Sequence, residues 1–415
     1  MTHCSNVYNS SILFIIPKIQ GLDKSAALAT EIKNICPSLE MNLVYWPEEE
    51  KTVFNVGSEF QSLLNSIFRN VYIFREKNVN EIDKVINTEI CKNNAIVVCP
   101  HLTNTINTTY SQKIIRLFKS RGAKYWTFQK SIHDEGAGLT VRDTSNILSN
   151  LFYLKNRIKS FISPSSSSDI EPDIFLAYTP KIRNILRREG FRNVESVGYF
   201  LSYPTWQDLL KQNSRSTRTE SVDVALFSRG QSHGQLDSKT VVTNSDFEKY
   251  LSEIVNVLHK YSQDFNKNTN LYLKPHPFQD FTSCENLLKN ITHNKSINPY
   301  VYDGSPAQLA LKVNLAITMY SSTAIDCLYQ NVPVCEYFRP NPFFLQKHPA
   351  GSPFILAGAI SAQNEKQLYD FIVQSQRLAN KDFARKVDKY LGIVPEDRLK
   401  LKFLIEEALR EHSNR

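Results

Sequence analysis

Two adjacent carboxylates and two glycines follow a short apolar stretch in the segment YWTFQKSIHDEGAGLT. Asp134 and Glu135 stand directly before Gly136, and Gly138 follows two residues later. Glycine permits positive φ angles and a close approach of the backbone to a ligand. A carboxylate held there could take the proton of an attacking hydroxyl if burial raised its pKa toward neutrality. Alternatively the acids begin a helix, where the macrodipole favours them, and the segment taken alone favours that interpretation.

A histidine enclosed by two prolines follows an apolar stretch in the segment LYLKPHPF. Pro275 and Pro277 restrict φ on both sides of His276 and hold the imidazole in a limited range of directions. Lys274 adds an ammonium group close by. One imidazole donor and one cation on a rigid loop suit a phosphate group. A histidine with a purely structural role is the alternative.

Two hydroxyl side chains stand where an apolar run changes to a helical pattern in ITMYSSTAIDCL. Ser321 and Ser322, with the unpaired N–H groups of a helix start, would form an anion site. The alternative is that Ser322 only caps the helix. Asp303 in PYVYDGSP could accept hydrogen bonds from ribose hydroxyls, but an ordinary turn aspartate before glycine is the interpretation we favour.

These residues follow short apolar runs that alternate with amphipathic segments, and this alternation predicts a parallel α/β architecture. The polar segment KQNSRSTRTES interrupts the alternation and predicts a linker. We therefore expect two Rossmann-like domains facing a central cleft, with ligands at the carboxyl ends of the strands. The expected boundaries are residues 1–210 for the acceptor-side domain with the acidic motif, 211–221 for the linker, 222–392 for the donor-binding domain, and 393–415 for a C-terminal helix that crosses back to the first domain.

Composition narrows the class of protein. The chain of 415 residues is too long for one ordinary core, and 41% hydrophobic with 22% charged residues is a typical globular composition. No apolar run reaches the ~20 residues that span a bilayer, and the first residues do not resemble a secretory signal. Seven scattered cysteines without a CxxC pair indicate reduced thiols, so we expect a cytoplasmic protein.

Several motifs of known chemistry are missing. There is no GxGxxG, no GxxxxGK[ST] and no HExxH, so the sequence predicts no dinucleotide cofactor, no Walker-type site and no metal. The net charge of +8 favours an acidic partner. Since no nucleic-acid-binding motif is present, nucleic acid is not the expected partner.

The ordered motifs DEG (Asp134–Gly136), HP (His276–Pro277) and SS (Ser321–Ser322) resemble those of the bacterial sialyltransferases, and within them the capsule polysialyltransferases of glycosyltransferase family 38. The resemblance implies a GT-B-type fold and inverting, metal-independent transfer from CMP-sialic acid. It assigns the role of general base to Asp134 or Glu135. It assigns the binding of the leaving phosphate to His276, Ser321 and Ser322. Gly136, Lys274, Pro277 and Asp303 are further donor-site candidates by position.

The same resemblance implies an acidic oligosaccharide or polysaccharide acceptor, for which the net positive charge would supply a basic groove. It also implies a place in a capsule assembly complex, peripherally attached to the cytoplasmic face of the inner membrane.

Three kinds of alternative stay open. Lipooligosaccharide sialyltransferases, Kdo transferases and glycerophosphate transferases share His-Pro and serine turns. A nucleotide-sugar 2-epimerase would require more acids in the cleft. A non-catalytic, basic nucleic-acid-binding protein is the alternative from another class.

Overall fold

The computed structural model of the chain describes residues 10–17, 21–47, 56–100, 109–128, 170–188, 190–213, 221–228, 244–276, 279–293, 295–340, 345, 351–378 and 382–414. Asp134, Glu135 and Gly136 lie outside the described residues, and so does Pro277. Lys274, His276, Asp303, Ser321 and Ser322 lie within them.

The first half of the chain forms a parallel sheet whose strands are β1 (Ser11–Ile16), β2 (Glu40–Tyr45), β3 (Asn70–Ile73), β4 (Asn94–Pro100), β5 (Lys124–Phe128), β6 (Ile174–Ala177) and β7 (Val194–Ser196). Their order is β3-β2-β1-β4-β5-β6-β7, and every pairing among them is parallel. Every residue of β1 is buried, as expected for a central strand covered by helices on both faces.

The described helices of this half connect or flank these strands. They are α1 (Leu22–Ile35), α2 (Ser58–Ile67), α3 (Val79–Ile90), α4 (Thr109–Ser120), α5 (Pro180–Arg188) and α6 (Pro204–Asn213). A short 3-10 helix, Phe200–Ser202, precedes α6. Since α6 ends at Asn213, the first three residues of the expected linker form its last turn.

The second half forms another parallel sheet, with strands β8 (Val222–Phe227), β9 (Thr269–Lys274), β10 (Ile297–Val301), β11 (Leu315–Thr318), β12 (Val334–Tyr337) and β13 (Ile360–Ala362). Their order is β10-β9-β8-β11-β12-β13. The helices are α7 (Asn244–Phe265), α8 (Phe281–Thr292), α9 (Pro306–Ala310), α10 (Thr323–Tyr329), α11 (Pro353–Leu356), α12 (Glu365–Leu378), α13 (Phe383–Leu391) and α14 (Asp397–Ser413). The parallel α/β class that the sequence predicts is therefore confirmed.

Both sheets reverse their strand order at one point. The reversal lies between β1 and β4 in the N-terminal sheet and between β8 and β11 in the C-terminal sheet. In doubly wound folds the loops that leave such a switch point at the carboxyl ends of the strands bind ligands. The start of α1 and the start of α10 are the two helix ends at these points.

The last helix packs against the first domain. Asp397 of α14 accepts a hydrogen bond from Ser196 in β7, and Arg398 forms an ion pair with Glu31 of α1 at 3.4 Å. Near its other end, Glu411 pairs with Lys124 at 2.8 Å. The helix therefore ties the end of the chain to the N-terminal sheet. No described helix is long and apolar enough to cross a membrane.

Candidate active site at the domain interface

The carboxyl edge of the C-terminal sheet carries a row of residues in register. Lys274 pairs with Phe227, Phe227 with Thr318, and Thr318 with Glu336. Since residues paired across parallel strands point to the same face, Lys274, Thr318 and Glu336 share one face of the sheet. Neighbouring strands lie ~4.8 Å apart, so the ends of β9 and β11 are on the order of 10 Å apart. The His-Pro and serine motifs therefore start from one edge of the sheet.

His276 is held through its backbone. Its N–H donates to Gln279 Oε1 at 2.8 Å and to Ser228 Oγ at 3.2 Å, while its carbonyl accepts from the Gln279 N–H at 2.8 Å. Ser228 also bonds to Gln279. This small network joins the end of β8 to the loop after β9. It fixes the peptide that carries the imidazole, and the side chain itself is half-buried.

Lys274 is a buried cation, with 7% of its surface exposed. Burial lowers the pKa of its ammonium to about 8, against the opposing attraction of Asp23 and Asp303. A cation that loses much of its hydration forms stronger interactions with an anion than one in bulk water. Lys274 therefore carries a buried positive charge below pH 8.

The serine turn depends on a residue in an uncommon conformation. Tyr320 has φ of +63°, in the left-handed region where a non-glycine residue is strained. Its ring packs against Phe338 and Phe354, with centroid distances of 6.1 and 5.4 Å. This turn leads from β11 to Ser321, whose Oγ accepts from the Thr323 hydroxyl at 2.9 Å. Ser322 is the N-cap residue of α10, as the alternative interpretation has it, but its side chain makes no capping hydrogen bond.

Glu336 is a site candidate that the sequence analysis missed. Its residue is 1% exposed, Ser352 Oγ donates to its Oε2 at 2.8 Å, and its Oε1 has no hydrogen-bond partner among the described residues. The hydroxyl of neighbouring Thr318 also lacks a partner there. Burial raises the pKa of Glu336 to about 7. The only signal in the sequence was a single acid inside the apolar run VPVCEYF.

The N-terminal domain contributes Asp23, in the first turn of α1 at the switch point. Asp23 accepts a hydrogen bond from Ser305 of the other domain, and burial raises its pKa. Asp326 in α10 is close enough for the charge of Asp23 to act on it, and burial raises the pKa of Asp326 to about 7. Each carboxylate has an Oδ1 that is shielded from solvent and has no partner among the described residues. The interface thus contains two buried carboxyl groups, and burial raises the pKa of both.

The segment after β10 carries several contacts between the domains. Tyr302 OH donates to Glu59 Oε2 at 3.1 Å, and Lys312 Nζ binds the same oxygen at 2.7 Å. Asp303 lies against Gly57, and a Cβ at position 57 would collide with its carboxylate. We name Glu59, Tyr302, Asp303 and Lys312 the interdomain clamp. Asp303 is thus placed against the N-terminus of α2, which suits a carboxylate.

The described structure therefore brings Lys274, His276, Ser321, Ser322 and Asp303 to one side of the interface between the sheets. The acidic motif follows β5, which ends at Phe128, and cannot be placed against them because it lies outside the described residues. Among the described residues no group of three or more His, Cys, Asp or Glu side chains could hold a metal ion.

A cavity of ≈ 380 Å³ lies elsewhere, at the amino edge of the N-terminal sheet beneath α14. Among its lining residues, Lys124 pairs with Glu411 and Arg187 with Glu195. Because the cavity lies at the opposite edge of the sheet from the switch point, it is separate from the candidate site.

Solved structures of known proteins share this architecture, although sequence comparison finds no match. Neither a family model nor a curated protein matches this chain. A putative UDP-N-acetylglucosamine 2-epimerase from Listeria monocytogenes superposes with a TM-score of 0.54 at 14% identity, covering 97% of this chain and 96% of that one. UGT71G1 of Medicago truncatula, complexed with UDP-glucose, gives 0.51 at 11% identity, with 97% and 99% covered. TcCGT1 in complex with UDP gives 0.55 at 10% identity, with 97% and 99% covered.

Identities of 10–14% show a shared fold and no more. The similarity extends over nearly the whole of both chains, so it includes both sheets and not one Rossmann-like unit alone. The chain therefore has the GT-B-type fold, with two parallel α/β sheets facing each other, that the resemblance implied.

Proposed function

We propose that this protein is an inverting glycosyltransferase that moves sialic acid from CMP-sialic acid to the end of an acidic acceptor glycan, elongating capsular polysialic acid. The observation that carries the proposal is the cluster at one edge of the C-terminal sheet. There the buried ammonium of Lys274 and the fixed loop of His276 follow β9, and the hydroxyls of Ser321 and Ser322 follow β11. These groups are the ligands that we propose for the leaving phosphate.

The comparisons support the coarser part of the proposal. Two solved structures of the same fold are complexes with UDP-glucose and with UDP, which supports a nucleotide sugar as the donor class. The identity of the sugar rests on the ordered DEG, HP and SS motifs. A capsule assembly complex at the cytoplasmic face of the inner membrane, with the acidic glycan as acceptor, belongs to the same proposal.

The reaction would proceed by direct displacement. The acceptor oxygen forms a bond to the anomeric carbon of the sialic acid while the bond from that carbon to the CMP phosphate breaks. CMP leaves with the electron pair, and the acceptor proton passes to Asp134 or Glu135. Negative charge grows on the phosphate as the bond breaks, so fixed donors there stabilise the transition state more than the ground state.

The described side chains fit these steps without a metal ion. Lys274 and His276 neutralise the leaving phosphate, and the two serine hydroxyls complete its hydrogen bonds. The orphan oxygens of Thr318 and Glu336 lie two and three strands from Lys274 on the same face, and we propose them as partners of nucleoside hydroxyls. The interdomain clamp would close the site around the donor.

A transfer assay tests the proposal. The purified protein is incubated with CMP-sialic acid and a labelled oligosialic primer, and both CMP release and primer length are followed. We expect stoichiometric CMP release with each added residue. Turnover of a UDP-sugar with no reaction of CMP-sialic acid contradicts the sialyl assignment and leaves the fold unaffected.

One observation favours a second candidate function, nucleotide-sugar 2-epimerisation. That reaction moves protons at a sugar carbon, and burial raises the pKa values of Asp23 and Asp326 at the interface and of Glu336 in the C-terminal sheet. The sequence left this function open and lacked only further acids to support it. Incubation with UDP-N-acetylglucosamine in deuterated water, followed by mass spectrometry, separates the two. Deuterium in the recovered sugar favours the epimerase, and none favours the transferase.

A further inference from the structure

One face of the C-terminal sheet is left uncovered near its edge. Along β9 the residues alternate between buried and half-buried, and Tyr272 belongs to the half-buried set. Tyr300 of β10 pairs with Tyr272 in register and is 47% exposed. Ala225 of β8 pairs with Tyr272, and Ala316 of β11 pairs with Ala225. Both alanines are fully buried. The helices on this face therefore cover β8 and β11 and leave the outer two strands open.

The two tyrosine rings form a rigid platform. Their centroids are 5.0 Å apart and their planes differ by 18°, so the rings are stacked. Among the described strands, β10 is the edge of the sheet, and no strand lies beyond Tyr300. The stack restrains the Tyr300 ring from one side and leaves its other face toward solvent. A preorganised aromatic face binds at a low cost in conformational entropy.

Amide groups lie one row away on the same face. Asn298 Nδ2 donates to Asn270 Oδ1 at 2.9 Å, and Asn270 Nδ2 donates to Asp223 Oδ1 at 2.6 Å. This chain of hydrogen bonds fixes the amide of Asn298, whose side chain is exposed. An aromatic face beside a fixed amide matches the apolar face and hydroxyl rim of a pyranose ring.

The platform continues into the candidate active site. Tyr302 follows Tyr300 by two residues, and the Tyr302 N–H continues the ladder by donating to Leu273 O at 2.8 Å. Lys274 follows Tyr272 by the same step. Two residues along a strand span ~6.6 Å, which is about the length of one sugar residue. Lys312 lies 5.5 Å from the centroid of the Tyr302 ring and places a positive charge between the platform and the interface.

We infer that the outer ring of Tyr300, with the amide of Asn298, binds a sugar ring of the acceptor glycan next to the reaction site. A protein partner needs about 800 Å² of buried surface on each side, and Tyr300 is the one large exposed hydrophobic side chain among the described residues of β8, β9 and β10. The patch fits one sugar ring instead. The inference rests on the proposed transfer to a glycan.

The first test compares acceptor length. Primers of one and of six sialic acid residues are assayed with the wild type, Tyr300→Thr and Tyr300→Phe. We expect Tyr300→Thr to raise KM for the longer primer about three- to tenfold, with kcat and the KM of the shorter primer unchanged. Tyr300→Phe keeps the ring and should behave as the wild type. Equal KM values for all three proteins on the longer primer overturn the inference.

A second test does not need the reaction. Saturation-transfer NMR with the hexamer of sialic acid reports binding to the wild type and to the Tyr300→Thr and Asn298→Ala variants. Thermal melting and donor binding confirm that both variants are folded. Signals lost in the variants support the platform, and no signal with the wild type overturns it. If CMP-sialic acid is never turned over while the hexamer still binds through Tyr300, the proposed function fails and the platform stands.

Discussion

Among single residues, His276 matters most for the proposed transfer. The prolines of the sequence predict a restrained loop, and the structure adds the Ser228–Gln279 network that holds its backbone. A donor that meets the leaving phosphate stabilises charge that exists mainly in the transition state.

We therefore expect His276→Ala to lower kcat about 10²- to 10³-fold with little change in donor affinity. Steady-state kinetics and direct titration of the donor separate the two effects. His293→Ala, at the exposed end of α8, is the matched control and should retain full activity. Equal activities of the two variants would assign His276 a purely structural role.

The lowered pKa of Lys274 predicts that donor affinity depends on pH. Burial lowers the pKa of its ammonium to about 8, so the charge is present below pH 8 and is lost as the pH rises above it. Donor affinity of the wild type should fall about tenfold or more between pH 7 and pH 9.5, since a charge-assisted hydrogen bond is lost. Lys274→Met should bind weakly throughout, without that fall. Identical pH profiles for the two proteins in donor titrations would contradict this role.

Most of the candidate site could be predicted from the residue types and from their positions at strand ends. Lys274, His276, Ser321 and Ser322 follow apolar runs, and parallel strands bring such ends to one edge. Asp23 and Asp326 were not predicted, because their environment depends on which helix starts face each other across two domains. The conformation of Tyr320 was not predicted either, since tertiary packing of its ring determines it.

Among the elements, some segments of clear periodicity are predicted closely and others are not. The sequence predicts a helix over Val79–Ile90, the bounds of α3, and a strand over Lys124–Phe128, the bounds of β5. It does not predict helices α2, α6, α8, α12 and α13 or the three-residue strands β7 and β13. Strands that short contain too few residues for a period to appear, and pairing with their neighbours creates them.

The helix α14 provides a stability test. Leu401 is fully buried and Leu399 is 59% exposed on the same helix. Leu401→Ala should lower the free energy of unfolding of the first domain by about 2–5 kcal/mol, from lost burial and a residual cavity. Leu399→Ala should change it by less than about 0.5 kcal/mol. Urea unfolding followed by circular dichroism measures both, and similar losses would mean that α14 does not pack as described.

For the whole molecule, the proposed transfer requires the two domains to close on the donor. Within the interdomain clamp, Tyr302 and Lys312 both bind one carboxylate, Glu59. Its ion pair with Lys312 is partly exposed, and such a pair contributes about 0–1 kcal/mol. The clamp therefore biases closure and permits opening.

Glu59→Gln should lower kcat/KM about two- to fivefold and shift the donor-bound protein toward a more open shape. Small-angle scattering with and without donor, together with kinetics, provides the measurement. The control is Glu285→Gln, which removes an ion pair with Lys289 inside α8 at 2.8 Å. If the two variants have the same effect, the clamp has no role in closure.

We propose above all that this chain, which has the GT-B-type fold, transfers sialic acid. Its most direct test is the incubation of purified protein with CMP-sialic acid and a labelled oligosialic primer. We predict release of one CMP for each residue added to the primer, in the presence of a metal chelator as in its absence. An unextended primer and intact CMP-sialic acid, under conditions where a UDP-sugar is consumed, would contradict the claim.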